Sequence, residues 1–125
     1  MMSEIPEYGI PRADLEALIS ELKNNNNIFE IILFGSRAKG TFTNGSDIDI
    51  ALKGNKLSLK DILDATCEVE KLLIPYKLDL VLYDRVNEPD LVDHIDRVGV
   101  VLFKRRKRRA QGSGIKDQRS GIREQ

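Results

Sequence analysis

Seven consecutive positions, Ile28-Phe29-Glu30-Ile31-Ile32-Leu33-Phe34, hold a single polar side chain. Side chains of a strand point alternately to opposite faces, so a segment apolar at both parities has to be covered on both sides. We read it as a central strand over 28–34. The flanks supply the cover. Leu15, Leu18, Ile19 and Leu22 recur at helical spacing behind Pro11, a first-turn proline, which predicts a helix over 11–23 ended by four asparagines. The glycine-bounded segment 35–40, which can form a short helix, and a turn at Thr43-Asn44-Gly45-Ser46 follow. From Asp47 to Lys53 the apolar Ile48, Ile50 and Leu52 alternate with Asp47, Asp49 and Ala51, as in a half-buried strand. Ser58 is placed to cap a helix carrying Leu59, Ile62, Leu63, Val69, Leu72 and Leu73, with Pro75 as its stop. A strand over 77–83, a helix over 88–97 and a strand over 100–103 complete an α/β (or α+β) sandwich: one central sheet with helices around it.

With 125 residues, 41% of them hydrophobic, the chain has material for one modest core and no room for a second. Residues 1–103 are expected to form one domain. The net charge of zero conceals a polarised chain, because residues 1–103 hold 11 Lys/Arg against 18 Asp/Glu and residues 104–125 hold 9 against 2. The basic stretch after Phe103, almost free of apolar residues, reads as a disordered tail. The sole cysteine, Cys67, excludes a disulfide framework or thiolate metal site, fits a reducing cytoplasm and reads as a small buried hydrophobe. No leader-like start and no membrane-length apolar run is found, so neither secretion nor a membrane is expected.

Asp47 and Asp49, two apart in a strand, point to one face with side-chain origins roughly 6.5–7 Å apart. We expect this to be the polar side of the sheet. Such a pair suits magnesium, which takes oxygen ligands and keeps room for water and phosphate. Asp79 lies opposite Leu78 and Leu80 in another alternating strand, and joins the pair if the strands are neighbours. Three close carboxylates repel one another, so the arrangement makes chemical sense with metal bound. Gly35-Ser36 ends the buried strand and opens the short helix, where backbone amides can face an anion, and Arg37 and Lys39 add positive charge. Together these residues describe a holder for a nucleoside triphosphate and two Mg2+ ions. His94, the only histidine, reads as a solvated imidazole between Asp93 and Asp96.

Gly35-Ser36, ten residues, then Asp47-x-Asp49 resembles the signature of the polymerase-beta-like nucleotidyltransferase superfamily. The stretch from Gly35 to Gly40 with Ser46-Asp47-Ile48-Asp49 is similar to its minimal branch, the MNT antitoxins that accompany HEPN-domain toxins. The resemblance implies the polymerase-beta-like fold, with phosphate contact by Ser36 and metal binding by Asp47 and Asp49. Asp79 would be a third carboxylate that helps deprotonate the acceptor hydroxyl. It further implies a metal-dependent transferase moving AMP from ATP to a hydroxyl of a HEPN-domain partner, in a homo- or hetero-oligomer. Two alternatives stay open: an antitoxin acting by contact alone, and an RNA nucleotidyltransferase using the basic tail.

Overall fold

The computed structural model describes residues 7–43 and 45–105. After a single tight turn at Glu7–Gly9 come α1 (Arg12–Leu22), β1 (Ile28–Phe34), α2 (Gly35–Lys39), β2 (Ile48–Gly54), α3 (Leu59–Glu70), β3 (Leu78–Leu82), α4 (Pro89–Val98) and β4 (Val100–Lys104). The four strands form one mixed sheet in the order β3-β2-β1-β4. β1 is antiparallel to both β2 and β4, and β3 is parallel to β2. The expected central strand is therefore internal and apolar on both sides, with Ile31, Ile32, Leu33 and Phe34 all buried.

The two sides are unequal. Ile31 and Leu33 of β1 and Ile48, Ile50 and Leu52 of β2 pack with Leu18 and Leu22 of α1 and Val69 of α3 in the main core. The opposite parity, Ile32, Phe34 and Ala51, meets Ile95 of α4 in a cluster of four buried residues, with Leu91, Val81 and Tyr83 at its margin. β2 is thus covered on both faces. Its second parity is not simply the polar side expected above, because α4 lies over that face.

Local signals explain the helix starts. Ser58 caps α3 in a reciprocal box: its backbone N–H and its hydroxyl both donate to Asp61 Oδ2, at 2.7 and 3.0 Å. The amide of Asn25 donates to the other oxygen of Asp61 at 2.9 Å, fastening the α1–β1 turn to α3. Pro89 sits in the first turn of α4. α3 stops at Glu70, earlier than Pro75 suggested. Leu73 takes a left-handed backbone (φ 58°) and is 87% exposed, so neither it nor Leu72 belongs to the helix. Cys67, expected inside, is exposed on α3.

The body also extends past Phe103. Lys104 pairs with Glu30 as the last residue of β4, and the Arg105 backbone N–H donates to the Phe29 carbonyl at 2.7 Å. The Arg105 guanidinium reaches the carbonyls of Ile28 (3.1 Å) and Lys23 (2.8 Å). The rest of the basic tail, residues 106–125, lies outside the described residues, as does Asn44. No helix among the described residues is long and apolar enough to cross a membrane.

Candidate active site

β1 ends where β2 and β3 begin, so three strand termini and their loops gather at one end of the sheet. The parallel register sets Asp49 directly opposite Asp79 and Ile48 opposite Leu78, and the Ile48 backbone N–H donates to the Lys77 carbonyl at 2.8 Å. The condition attached to Asp79 is met: its strand is the neighbour of β2, and the two carboxylates share a face. Asp47 immediately precedes β2 and is exposed, as is Asp79, while Asp49 is half-buried.

Phe34 pairs with Asp49 on the other side, which brings Gly35 against the same carboxylate. Gly35 has φ +78°, and a Cβ there would overlap the Asp49 side chain. Glycine is required twice over, by conformation and by space.

Burial raises the Asp49 carboxyl above its ordinary pKa, and the charges of Asp79 and Asp47 add to the effect, whereas Arg37 pulls it down. Asp49 thus feels both of the other carboxylates. No described residue donates a hydrogen bond to any of them, so their oxygens retain lone pairs for a ligand. Among the described residues no trio of His, Cys, Asp and Glu is already drawn to one metal-ligating point. The carboxylates line an open face, not a closed cage. That donor set fits Mg2+, which is bound through one or two carboxylates together with waters and substrate phosphates.

α2 is only five residues long, so little macrodipole is available and anion binding would rest on single N–H groups and the Ser36 hydroxyl. Ser36 is half-buried, and its carbonyl accepts from Gly40 and Thr41 at 2.9 and 3.0 Å, closing the helix on Gly40 in a left-handed cap. Lys39 is exposed at the end of α2.

Arg37 has a different place from the one expected for a phosphate-binding residue. It is 1% exposed, and its guanidinium donates to the Tyr8 carbonyl at 2.8 Å and twice to the Ser46 carbonyl, at 3.2 and 2.8 Å. It lies 5.4 Å from the Phe42 ring centre and 5.0 Å from that of Tyr76. Its donors are committed to two backbone carbonyls, one of them on the residue before Asp47, so it shapes the site and contributes charge through space.

His94 corrects the reading of a solvated imidazole. It is half-buried, its Nε2 accepts the Gly35 backbone N–H at 3.1 Å, and its ring meets Phe34 edge-on at 6.1 Å. The sequence did carry the signal: Leu91, His94, Ile95 and Val98 fall at i, i+3, i+4 and i+7, the face that α4 turns to the sheet.

With this geometry in hand, comparison with known proteins gives a consistent picture. The family model described as polymerase beta, nucleotidyltransferase matches residues 16–108. A chain of a toxin–antitoxin complex crystallised with AMP-PNP is 26% identical with a TM-score of 0.62, covering 72% of this chain and 73% of that one. A chain from the complex of a tri-AMPylated Shewanella oneidensis HEPN toxin with its MNT antitoxin is 22% identical (TM-score 0.58; 74% and 71% covered) and shares the fold. So does a minimal nucleotidyltransferase that is 24% identical (TM-score 0.60; 78% and 98% covered). No curated protein matches significantly.

Proposed function

The chain belongs to the polymerase beta nucleotidyltransferase family, and from that premise we propose that it transfers AMP from ATP to a hydroxyl of a HEPN-domain toxin, acting as the antitoxin of the pair. The observation that carries the reading is Asp49 facing Asp79 across adjacent parallel strands, with Gly35 against its carboxylate and Asp47 two residues before it. The choice of ATP rests on the neighbour crystallised with AMP-PNP, and that of a protein acceptor on the fold shared with the AMPylated-toxin complex.

In the reaction the acceptor oxygen bonds to the α-phosphorus, the α–β anhydride bond breaks, and pyrophosphate leaves with the bond's electron pair. Asp47, Asp49 and Asp79 would hold two Mg2+ ions, which supply Lewis-acid stabilisation of the phosphate charge. Ser36 and the amides beside it would orient the phosphates, and Asp79 takes up the hydroxyl proton on the acceptor side. Gly35 keeps the phosphate-binding turn against Asp49, and Arg37 holds the loop that delivers Asp47.

The test is incubation of the full chain with ATP labelled at the α-phosphate, Mg2+ and a HEPN-domain protein supplied as the acceptor. Label should move to the toxin with the wild type and fall at least about 100-fold with D47N/D49N, the scale of losing transition-state charge stabilisation. A stable complex that carries no label, and in which D47N/D49N still neutralises the toxin, would replace this reading with inhibition by contact alone. Label on RNA and none on protein would replace it with RNA nucleotidyl transfer.

A further inference from the structure

We propose that His94 is a positioning residue of this site, holding the Gly35-Ser36 turn in the conformation that receives the nucleotide. The inference rests on the nucleotidyltransferase reading and deepens it. α4 joins the sheet late in the chain, and 59 residues separate His94 from the glycine whose N–H its Nε2 accepts at 3.1 Å. An imidazole Nε2 that accepts is unprotonated there, so the neutral ring carries its hydrogen on Nδ1. The ring is itself held: Phe34, the residue before Gly35, meets it edge-on, and the adjacent Ile95 is 3% exposed in the apolar cluster beneath α4.

The consequence runs through Gly35 to the rest of the site. This residue has a left-handed backbone and no space for a Cβ beside the Asp49 carboxylate. A displaced Gly35 therefore shifts the wall on which Asp49 rests and the peptide that presents Ser36. A side chain from α4 controls both the carboxylate and the serine without touching substrate. The helix that covers this face is thus a functional part of the site as well as a lid on its apolar cluster.

The experiment compares the full-length wild type with H94Q and H94N. Glutamine can place an amide oxygen near the position of Nε2, whereas asparagine is one bond shorter and falls short of Gly35. Both are polar and smaller than histidine, so a general effect on folding should appear in both. Two quantities are read: AMP-PNP affinity in Mg2+, and hydrogen exchange of the Gly35 amide by NMR. The expected result for H94N is affinity weaker by about tenfold and faster Gly35 exchange, with H94Q recovering most of both, as befits one hydrogen bond that sets a binding geometry. An H94N protein that binds as tightly as H94Q, or one whose Gly35 amide exchanges as slowly as in the wild type, overturns the proposal. If the wild type takes up no AMP-PNP, the nucleotide reading fails and this role fails with it. The exchange data separate that case from the loss of the His94 contact alone.

Discussion

The two faces of the sheet are built from the same strands and differ in what they do. On one, Ile31, Leu33, Ile48, Ile50 and Leu52 interlock with α1 and α3 into a dry aliphatic layer. On the other, the intervening residues of β1 and β2 give three buried apolar side chains, Ile32, Phe34 and Ala51, that meet Ile95 of α4, and beyond them Asp49, Asp79 and Asp47. Burial of each large side chain on the first face stabilises the fold by about 1.5–3 kcal/mol. The second face spends part of its area on carboxylates that repel one another. A domain of this size can carry such a face because the opposite one stabilises it.

This contrast can be broken or sharpened by substitution. The largest effect should come from the dry face: Leu33→Ala, at a fully buried position, is expected to cost about 4 kcal/mol in urea unfolding, against about 2 kcal/mol for Ile95→Ala under α4. Equal costs would mean that the faces share the stabilisation evenly. Arg37→Ala comes next, at about 3 kcal/mol, because it strips the carbonyls of Tyr8 and Ser46 of buried partners. Arg37→Lys should recover little, since an ammonium cannot reproduce the planar fork.

Asp61→Ala should cost about 1 kcal/mol through loss of the α3 cap. The Ser58 backbone hydrogen bond is the main reason that the Asp61 carboxyl titrates below its usual range. The folded state therefore binds this proton less tightly than the unfolded chain. The contribution is complete above the unfolded value near about 3.9 and disappears as pH falls through the lower folded value, so D61A should lose less stability on acidification than the wild type. The smallest effect has the opposite sign. Asp49→Asn, measured in metal-free buffer near neutral pH, should leave the urea midpoint unchanged or slightly raised, because it removes a half-buried charge facing two others. A clear loss of stability would show that Asp49 supports the fold and is not a cost borne for function.

Much of this was legible in the amino-acid order. Alternation at Ile48, Ile50 and Leu52, the double-sided run of β1 and the Ser58 cap placed the elements to within a few residues. The spacing from Gly35-Ser36 to Asp47-x-Asp49 singled out residues that the fold brings together. Errors arose where a residue's fate depends on what packs against it. Arg37 looked like a cation that adds charge beside a phosphate, and nothing local announces that two carbonyls and two rings enclose it. His94 between two aspartates looked exposed, although the helical period of α4 pointed inward. Cys67 shared a helix with core residues and lies outside.

What the chain determined by itself was the set of short-range preferences: period two in the strands, period 3.6 in the helices, a glycine directly after β1, and carboxylates two apart on one face. What only the tertiary structure decided was which strands become neighbours and which face α4 covers. Those choices turned Asp79 toward Asp49, buried Arg37 and set His94 on Gly35. The physical reason is that strand pairing and helix docking are contacts between distant segments, won by the total apolar area and hydrogen bonding of the whole assembly, and no window of sequence contains that sum.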